Sequence, residues 1–173
     1  MKLIMQSPLD ITSALQSVKL LSCDVDGVMT DGGLYYDEEG HEIRKFHVLD
    51  GLGIQNLMDS GVHVCIISRS TTKAIYHRAK ALGIKHCYLG VKDKMDTMRQ
   101  LLKDLNLDIS EVAHIGDDLN DLELLLAVGL PITVPKAVKE VKEIARLITE
   151  KNGGEGAVRE VTDRIISSKK NSN

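Results

Sequence analysis

Short apolar segments alternate with longer amphipathic segments along most of this chain, and this alternation constrains the fold more than any other feature. Six apolar runs predict strands, at 18–23, 62–67, 86–90, 112–116, 130–134 and 145–149. Six amphipathic segments predict helices, at 51–61, 71–83, 93–106, 120–129, 136–145 and 156–168. Short strands that alternate with helices are typical of βαβ units and a parallel sheet. We therefore expect an α/β fold, a Rossmann-like three-layer sandwich with a central parallel sheet.

The length of the chain indicates one domain that spans residues 1–173, because 173 residues suit a single core and no linker, repeat or low-complexity segment divides them. Residues 33–48 hold two β-prone pieces around the acidic turn 37–40, which predicts a protruding β-hairpin. From about residue 153 we expect a flexible C-terminal tail, in which residues 169–173 are disordered.

The composition excludes several classes of protein. A net charge of −3 gives no electrostatic footprint for nucleic acid. No apolar stretch approaches the roughly 20 residues of a membrane helix, and the first ten residues do not resemble a signal peptide. The three cysteines lie in apolar stretches without metal-ligand spacing, which predicts buried free thiols in a reducing compartment. We expect a cytoplasmic protein without nucleic-acid or membrane partners.

Polar residues follow the predicted strands where each strand ends. In chain order, these are Asp24 and Asp26, then Ser68, Arg69 and Ser70, then Lys94, then Asp117, Asp118 and Asp121. Right-handed crossovers bring the carboxyl ends of parallel strands to one edge, and ligands bind outside that edge. Carboxylates gathered there repel one another unless a cation lies between them, and such ligands suit Mg²⁺. A hydroxyl and a lysine beside them favour a phosphoryl group. Taken alone, Asp121 is equally well explained as a helix cap.

The segments DVDGVMTDG, IIS, GVKDK and GDDLND occur in this order, and together they resemble the four motifs of the haloacid dehalogenase superfamily, in its phosphatase branch. The resemblance implies that Asp24 is the nucleophile, which forms an aspartyl phosphate, and that Asp26 is the general acid/base. It makes Ser68 and Lys94 the phosphate ligands, and Gly27 leaves room for the backbone to approach the phosphate. The Mg²⁺ ligands that it implies are Asp24, Asp26, Asp117 and Asp118.

The spacing of these motifs leaves no room for a cap domain, because only a hairpin and one helix separate Asp26 from Ser68, and one helix and one strand separate Ser68 from Lys94. A capless site is open to water unless another subunit closes it. The hairpin and the segment GGEGAVRE at 153–160 resemble the tetrameric sugar-acid phosphatases, above all the 3-deoxy-D-manno-octulosonate 8-phosphate phosphatases of lipopolysaccharide biosynthesis. The resemblance implies a homotetramer whose hairpins wall neighbouring sites, a small phosphorylated sugar acid as substrate, and Arg159 as a substrate contact.

Two positions depart from the pattern of that family, which usually has arginine before the DG of the hairpin exit and T-G-R in its second motif. Here Leu49 stands at the first position and Ser68-Arg69-Ser70 at the second. A sugar-acid carboxylate favours a bidentate arginine, so we predict that Arg69 and Arg78 take the place of the two arginines that the family pattern would supply. A nine-carbon 2-keto sugar acid 9-phosphate, another phosphorylated metabolite or macromolecule, and a non-catalytic role in phosphosugar binding stay open as alternatives. The six histidines are predicted to be surface or satisfied core residues.

Overall fold

The structure, a computed structural model, describes residues 8–170. The strands in this range are β1 Leu20–Cys23, β2 Tyr35–Tyr36, β3 Glu42–Ile43, β4 His63–Ile67, β5 His86–Tyr88, β6 Val112–Ile115, β7 Leu130–Thr133 and β8 Leu147–Ile148. The helices are α1 Pro8–Ser17, α2 Val48–Asp59, α3 Lys73–Leu82, α4 Lys94–Leu105, α5 Leu122–Ala127, α6 Lys139–Ile144 and α7 Ala157–Lys170. Two one-turn 3-10 helices, Ile109–Glu111 and Leu119–Asp121, precede β6 and α5.

Six of these strands form a parallel sheet in the order β5-β4-β1-β6-β7-β8. β1 lies in the interior of the sheet, where Leu20 pairs with His63 of β4 and with Val112 of β6. All four residues of β1 are buried, because successive side chains point to two opposite apolar layers. Leu21 belongs to the layer that α1, α2, α3, α6 and α7 cover, and Leu20 belongs to the layer that α4 and α5 cover. The predicted parallel sheet and three-layer sandwich are confirmed, and residues 8–170 contain no cap domain.

β2 and β3 form the separate antiparallel hairpin that the sequence predicts, with Tyr35 opposite Ile43. Its strands are only two residues long, and Leu34, Tyr35, Tyr36 and Ile43 are exposed. Phe46, at the exit of the hairpin, instead packs against the hydrophobic core. The hairpin therefore protrudes from the domain but is anchored where the chain returns to α2.

The helix predicted at 156–168 is present as α7 Ala157–Lys170, inside the segment from about residue 153 that the sequence analysis expects to form a flexible tail. Val158, Val161 and Ile165 of α7 are fully buried, and α7 packs along α2 and α1. Their spacing of three and then four residues gives the helix one apolar face, which explains the packing. The helix continues through Lys169, whose ammonium donates to the carbonyl of Gln16 at 2.8 Å, and ends at Lys170. The expected disorder of residues 171–173 lies outside the described residues.

α1 is the helix that the sequence analysis does not predict. Ile11, Ala14, Leu15 and Val18 repeat at helical spacing and contact the core, and proline is favoured in the first turn of a helix. The expectation for residues 1–7 lies outside the described residues. Within residues 8–170, no helix combines the length and the apolar character that a membrane span requires.

Candidate active site

The carboxyl ends of β1, β4 and β6 open into a shared cavity of about 260 Å³. The cavity lining includes these predicted site residues: Asp24, Asp26, Gly27, Ser68, Arg69, Asp117 and Asp118. Gly32, Ser70 and Asn120 also line it. The sheet edge thus gathers residues from distant parts of the sequence into one polar pocket, as expected for ligand sites in parallel sheets.

Asp24 directly follows β1 and is 5% exposed. Its backbone N–H donates to the carbonyl of Ile115 at 3.0 Å, which extends the pairing of β1 with β6 and fixes where the side chain emerges. Burial raises the pKa of the Asp24 carboxyl to about 7, although the nearby Lys94 ammonium opposes this shift. A further cation beside Asp24 would favour its ionised form, which is the nucleophilic form.

Lys94 is the first residue of α4 and connects two buried carboxylates. Its Nζ donates to Asp24 Oδ1 at 2.5 Å and to Asp121 Oδ1 at 2.6 Å. Burial alone would lower the pKa of Lys94, but the two carboxylates outweigh it and raise the pKa, so the side chain is an ammonium. Asp93 caps α4 by accepting from the backbone N–H of Asp96 at 2.8 Å, which fixes the helix start that carries Lys94.

Asp121 is fully buried and accepts from four donors. Lys94 Nζ and His114 Nε2 reach its Oδ1, the latter at 3.1 Å. The backbone N–H groups of Asp117 and Asp118 reach its Oδ2 at 3.3 and 3.5 Å. Burial opposes ionisation of Asp121, but the hydrogen bonds from His114 and Lys94 outweigh it and lower its pKa to about 2. Asp121 is therefore the carboxylate in this cluster that stays ionised most readily.

Asp117 follows β6, and its carboxylate fills the space beside Gly27. A Cβ added at Gly27 would lie 1.9 Å from Asp117 Oδ2, and the φ of +85° at Gly27 also favours glycine. Burial first, and then the charges of Asp24, Asp121 and Asp118, raise the pKa of Asp117 to about 7. The structure thus gives Gly27 a second reason to be glycine, the close approach of a carboxylate.

Three carboxylates form a group with the geometry of a cation site. One oxygen each from Asp24, Asp117 and Asp121 lies within 4.8 Å of the others. Mutual repulsion in such a group is relieved by protonation or by a cation, and hard oxygen donors suit Mg²⁺. The donor set therefore fits the predicted metal. The other two predicted metal ligands lie at the cavity but outside this group, and Asp118 Oδ1 accepts from the Leu119 N–H at 2.7 Å.

Asp26 contacts the exit of the hairpin. Arg44 Nε lies 2.9 Å from Asp26 Oδ1, in an ion pair without hydrogen-bond alignment, and Arg44 also pairs with Glu42. The Arg44 side chain is 3% exposed, whereas that of Asp26 is 38% exposed and reaches the cavity. Asp24 and Asp26 thus have different partners although only one residue separates them. This difference suits the separate roles of nucleophile and proton donor.

Comparison with known proteins places this architecture in a family. A family model described as haloacid dehalogenase-like hydrolase matches residues 90–161. The 3-deoxy-D-manno-octulosonate 8-phosphate phosphatase KdsC of Yersinia pestis is 41% identical over 157 residues, which cover 91% of this chain and 84% of that protein. The chain belongs to the haloacid dehalogenase-like hydrolases. KdsC of Escherichia coli K12, at 37% identity over 91% of the chain and 84% of that protein, is a second such relative.

Solved structures of haloacid dehalogenase-like hydrolases share the fold over nearly the whole chain. The 3-deoxy-D-manno-octulosonate 8-phosphate phosphatase of Moraxella catarrhalis, in complex with a magnesium ion, a phosphate ion and KDO, is 39% identical, with a TM-score of 0.93 and 95% of both chains covered. The cobalt-bound enzyme of Haemophilus influenzae is 38% identical, with a TM-score of 0.87 and coverage of 92% of this chain and 93% of that one. This hydrolase is accordingly an enzyme of the phosphatase type.

Two arginines that the sequence analysis assigns to substrate binding do not line the cavity of this hydrolase. Arg78 Nη2 donates to the carbonyl of His47 at 3.1 Å, and its guanidinium carbon lies 5.8 Å from the ring centroid of Phe46. Arg159 Nε donates to Asp163 Oδ2 at 2.7 Å along α7. In this structure Arg78 therefore contacts residues at the exit of the hairpin, and Arg159 forms an ion pair within its own helix. Arg69 does line the cavity.

Sequence reasoning about this hydrolase misses three contacts of the candidate site. Asp121 is considered only as a cap or an additional acid, His114 only as a surface or core residue, and Arg44 not at all. The signal for His114 is a polar residue inside an apolar strand, paired in register with Ser22. The contact between Arg44 and Asp26 has no comparable signal, because it depends on how the chain after β3 approaches the loop that follows β1.

Proposed function

We propose that this protein hydrolyses 3-deoxy-D-manno-octulosonate 8-phosphate to the free sugar acid and phosphate, in lipopolysaccharide biosynthesis. One observation carries the proposal. The buried Asp24 carboxylate, paired with Lys94 and grouped with Asp117, borders a cavity that Asp26 and Ser68 also line. Relatives named for this activity, and the structure of one of them with magnesium, phosphate and KDO, support the choice of substrate.

The residues of the cavity divide the reaction into two displacements at phosphorus. In the first, an Asp24 oxygen attacks phosphorus, the bond from phosphorus to the sugar oxygen breaks, and Asp26 gives its proton to that oxygen. Asp24 then carries the phosphoryl group as an aspartyl phosphate. In the second, Asp26 takes a proton from a water molecule whose oxygen attacks phosphorus, and the bond to Asp24 breaks. Ser68 and Lys94 stabilise the phosphoryl oxygens as their charge develops.

Mg²⁺ is the cofactor that we assign to the site. When bound, it supplies positive charge that favours ionised carboxylates and offsets the charge of the phosphoryl group. Asp24 and Asp117 are the residues that we expect to hold it, because burial and mutual repulsion raise the pKa of both carboxyls to about 7 without a cation. Asp26 and Asp118 lie at the same cavity and complete the predicted ligand set.

The carboxylate of the sugar acid requires a cationic partner at the cavity. Arg69 lines the cavity, and we assign it the contact with the substrate carboxylate. Leu49 and Ser70 stand where octulosonate phosphatases usually have arginine, and this departure favours a nine-carbon 2-keto sugar acid 9-phosphate as the second candidate.

We also propose a homotetramer, supported by the exposed apolar hairpin, and a cytoplasmic location, supported by three free cysteines.

Hydrolysis assays with purified protein test the function. We expect Mg²⁺-dependent release of phosphate from the octulosonate ester with a higher kcat/KM than from the nine-carbon ester or p-nitrophenyl phosphate. EDTA should stop the release of phosphate.

Asp24→Asn should abolish turnover without loss of fold, because an amide is not a nucleophile. Asp59→Asn, the same change at an exposed position on α2, is the matched control and should leave kcat unaltered. Wild-type turnover in folded Asp24→Asn would refute the covalent mechanism.

A further inference from the structure

His114 is a fully buried polar side chain in the interior of the parallel sheet. It lies on β6 between Ser22 of β1 and Pro131 of β7. Both of its ring nitrogens have partners, Nδ1 with Ser22 Oγ at 3.0 Å and Nε2 with Asp121 Oδ1 at 3.1 Å. An apolar side chain would fill such a position without the cost of desolvating an imidazole. A histidine here therefore calls for an explanation beyond packing.

The partners of His114 fix its tautomer. An ionised carboxylate can only accept, so Nε2 carries the proton and donates it to Asp121 Oδ1. The Ser22 hydroxyl can then donate to Nδ1. The imidazole thus connects a strand residue at the centre of the sheet to the carboxylate that organises the active site.

The other three donors to Asp121 do not come from a strand. Lys94 reaches Asp121 through four methylene groups, and the N–H groups of Asp117 and Asp118 belong to the loop after β6. His114 is the donor that comes from a strand. Gly116 permits the contact, because a Cβ there would lie 2.5 Å from Asp121 Cγ.

We propose that His114 is a positioning residue of the active site, which holds the Asp121 carboxylate so that Asp121 presents Lys94 to Asp24 and fixes the loop that bears Asp117. His114 contacts neither substrate nor metal in this arrangement. It acts through Asp121, as outer hydrogen-bond partners do around metal ligands, where their loss typically costs about 10- to 100-fold in metal affinity or activity. The inference rests on the function proposed above.

Two substitutions separate positioning from packing. The glutamine amide of His114→Gln reaches about as far as Nε2 and keeps a donor for Asp121, whereas the shorter amide of His114→Asn reaches only the position of Nδ1. We expect His114→Asn to lower kcat for p-nitrophenyl phosphate and to raise the Kd for Mg²⁺, each by about 10- to 100-fold. His114→Gln should recover most of both losses. KM should change less than kcat, because Ser68 and Arg69 do not depend on Asp121.

Thr162→Val on α7 is the control for stability, because it removes the hydrogen bond of another fully buried polar side chain, from Thr162 Oγ1 to the Arg159 carbonyl. We expect it to lower Tm while kcat and the Kd for Mg²⁺ stay at wild-type values. If His114→Asn behaves in the same way, His114 only fills the core and the proposal is wrong. Equal kcat values for the asparagine and glutamine variants would also overturn it.

A spectroscopic measurement keeps the inference testable even if the proposed function fails. Wild-type protein without Mg²⁺-dependent hydrolysis of any phosphate ester would refute the function but not the hydrogen bond. Imidazole ¹⁵N resonances should then still identify His114 as the Nε2–H tautomer with slow solvent exchange, and Asp121→Asn should shift the Nε2 resonance. An Nδ1–H tautomer, or a resonance that Asp121→Asn leaves in place, would overturn the positioning role.

Discussion

At the scale of single residues, carboxyl groups of the same chemistry behave differently because their neighbours differ. The buried Asp24 and the half-buried Asp117 lie among other acids, and their pKa values rise to about 7. Asp121 is buried more completely, yet its pKa falls to about 2 because His114 and Lys94 donate to it. Hydrogen bonds to the charged form outweigh burial at one position and not at the others. The cluster therefore contains one carboxylate that stays ionised and two that respond to a cation.

This difference predicts how the stability of metal-free protein depends on pH. The folded pKa values of Asp24 and Asp117, about 7, exceed the unfolded value of 3.8, so the folded state binds more protons between these limits. The free energy of unfolding should therefore fall as pH rises through this window. Mg²⁺ replaces the protons, so the rise in Tm on adding Mg²⁺ should be larger at about pH 8 than at about pH 5. Calorimetry with EDTA measures the stability of the metal-free protein, and calorimetry with Mg²⁺ measures the rise in Tm. An equal rise in Tm at the two pH values would contradict the exchange of protons for Mg²⁺.

Gly27 offers a test of the approach of Asp117. Gly27→Ala should lower the free energy of unfolding by more than the roughly 1–2 kcal/mol that left-handed backbone costs alanine, because its Cβ would also collide with Asp117 Oδ2. The displaced carboxylate should raise the Kd for Mg²⁺. Gly61→Ala is the matched control, with a φ of +88° and no atom within 4 Å of the added Cβ. Urea unfolding measures the free energy of unfolding of both variants, and calorimetric titration measures their Kd for Mg²⁺. The Kd should rise in Gly27→Ala only.

At the scale of elements, the hairpin is tied to the active site through Arg44. The buried guanidinium forms an ion pair with one Asp26 oxygen, so its loss should free the carboxyl to which we assign proton transfer. We expect Arg44→Gln to lower kcat on the order of tenfold, because a small displacement of a catalytic group can reduce the rate by this factor or more. Lys45→Gln is the control, because the adjacent Lys45 pairs with Asp31. A steady-state assay in which both variants retain wild-type kcat would show that Arg44 does not position Asp26.

The elements that the sequence predicts well are those whose signal is local. Apolar runs such as 62–67 mark buried strands because both faces of the sheet are covered. α1 is missed although its apolar spacing is present, because the proline and aspartate in its first turn are equally typical of turns and loops. The helix at 156–168 is predicted from its local sequence, but its packing against α2 is not. The packing of α7 against α2 depends on Gly53, where a Cβ would lie 2.3 Å from Thr162 Oγ1, and no local pattern reveals such a contact.

The same distinction explains how much of the site the sequence predicts. Asp24, Ser68 and Asp117 follow strands of one parallel sheet, so topology alone brings them together. The contacts of His114 and Arg44 depend on strand register and on the path of the hairpin, which are properties of the folded chain. Arg78 and Arg159 carry the expected charge, but within one chain they contact the His47 carbonyl and Asp163 outside the cavity, so their contact with substrate stays a prediction.

At the scale of the whole molecule, the hairpin leaves apolar side chains that one chain cannot cover. Ile43 is 53% exposed and pairs with the exposed Tyr35, and Leu34 and Tyr36 extend the same protrusion. An isolated two-stranded ribbon is marginal in water, so association with other copies is the arrangement that stabilises it. Closed symmetry is usual for such self-association, and we expect a particle of four 19.0 kDa chains.

Ile43→Glu tests this assembly, because a charge at the centre of the hairpin contact opposes burial. We expect light scattering to show smaller particles, and kcat/KM to fall more for the sugar-acid phosphate than for p-nitrophenyl phosphate. In the proposed tetramer, we expect the larger substrate to contact a neighbouring hairpin, whereas the small ester should require only the cavity of one chain. Tyr76→Glu introduces the same charge at a residue of equal exposure, 53%, on α3 and should remain tetrameric. A wild-type monomer with full activity on the sugar-acid phosphate would exclude the shared site.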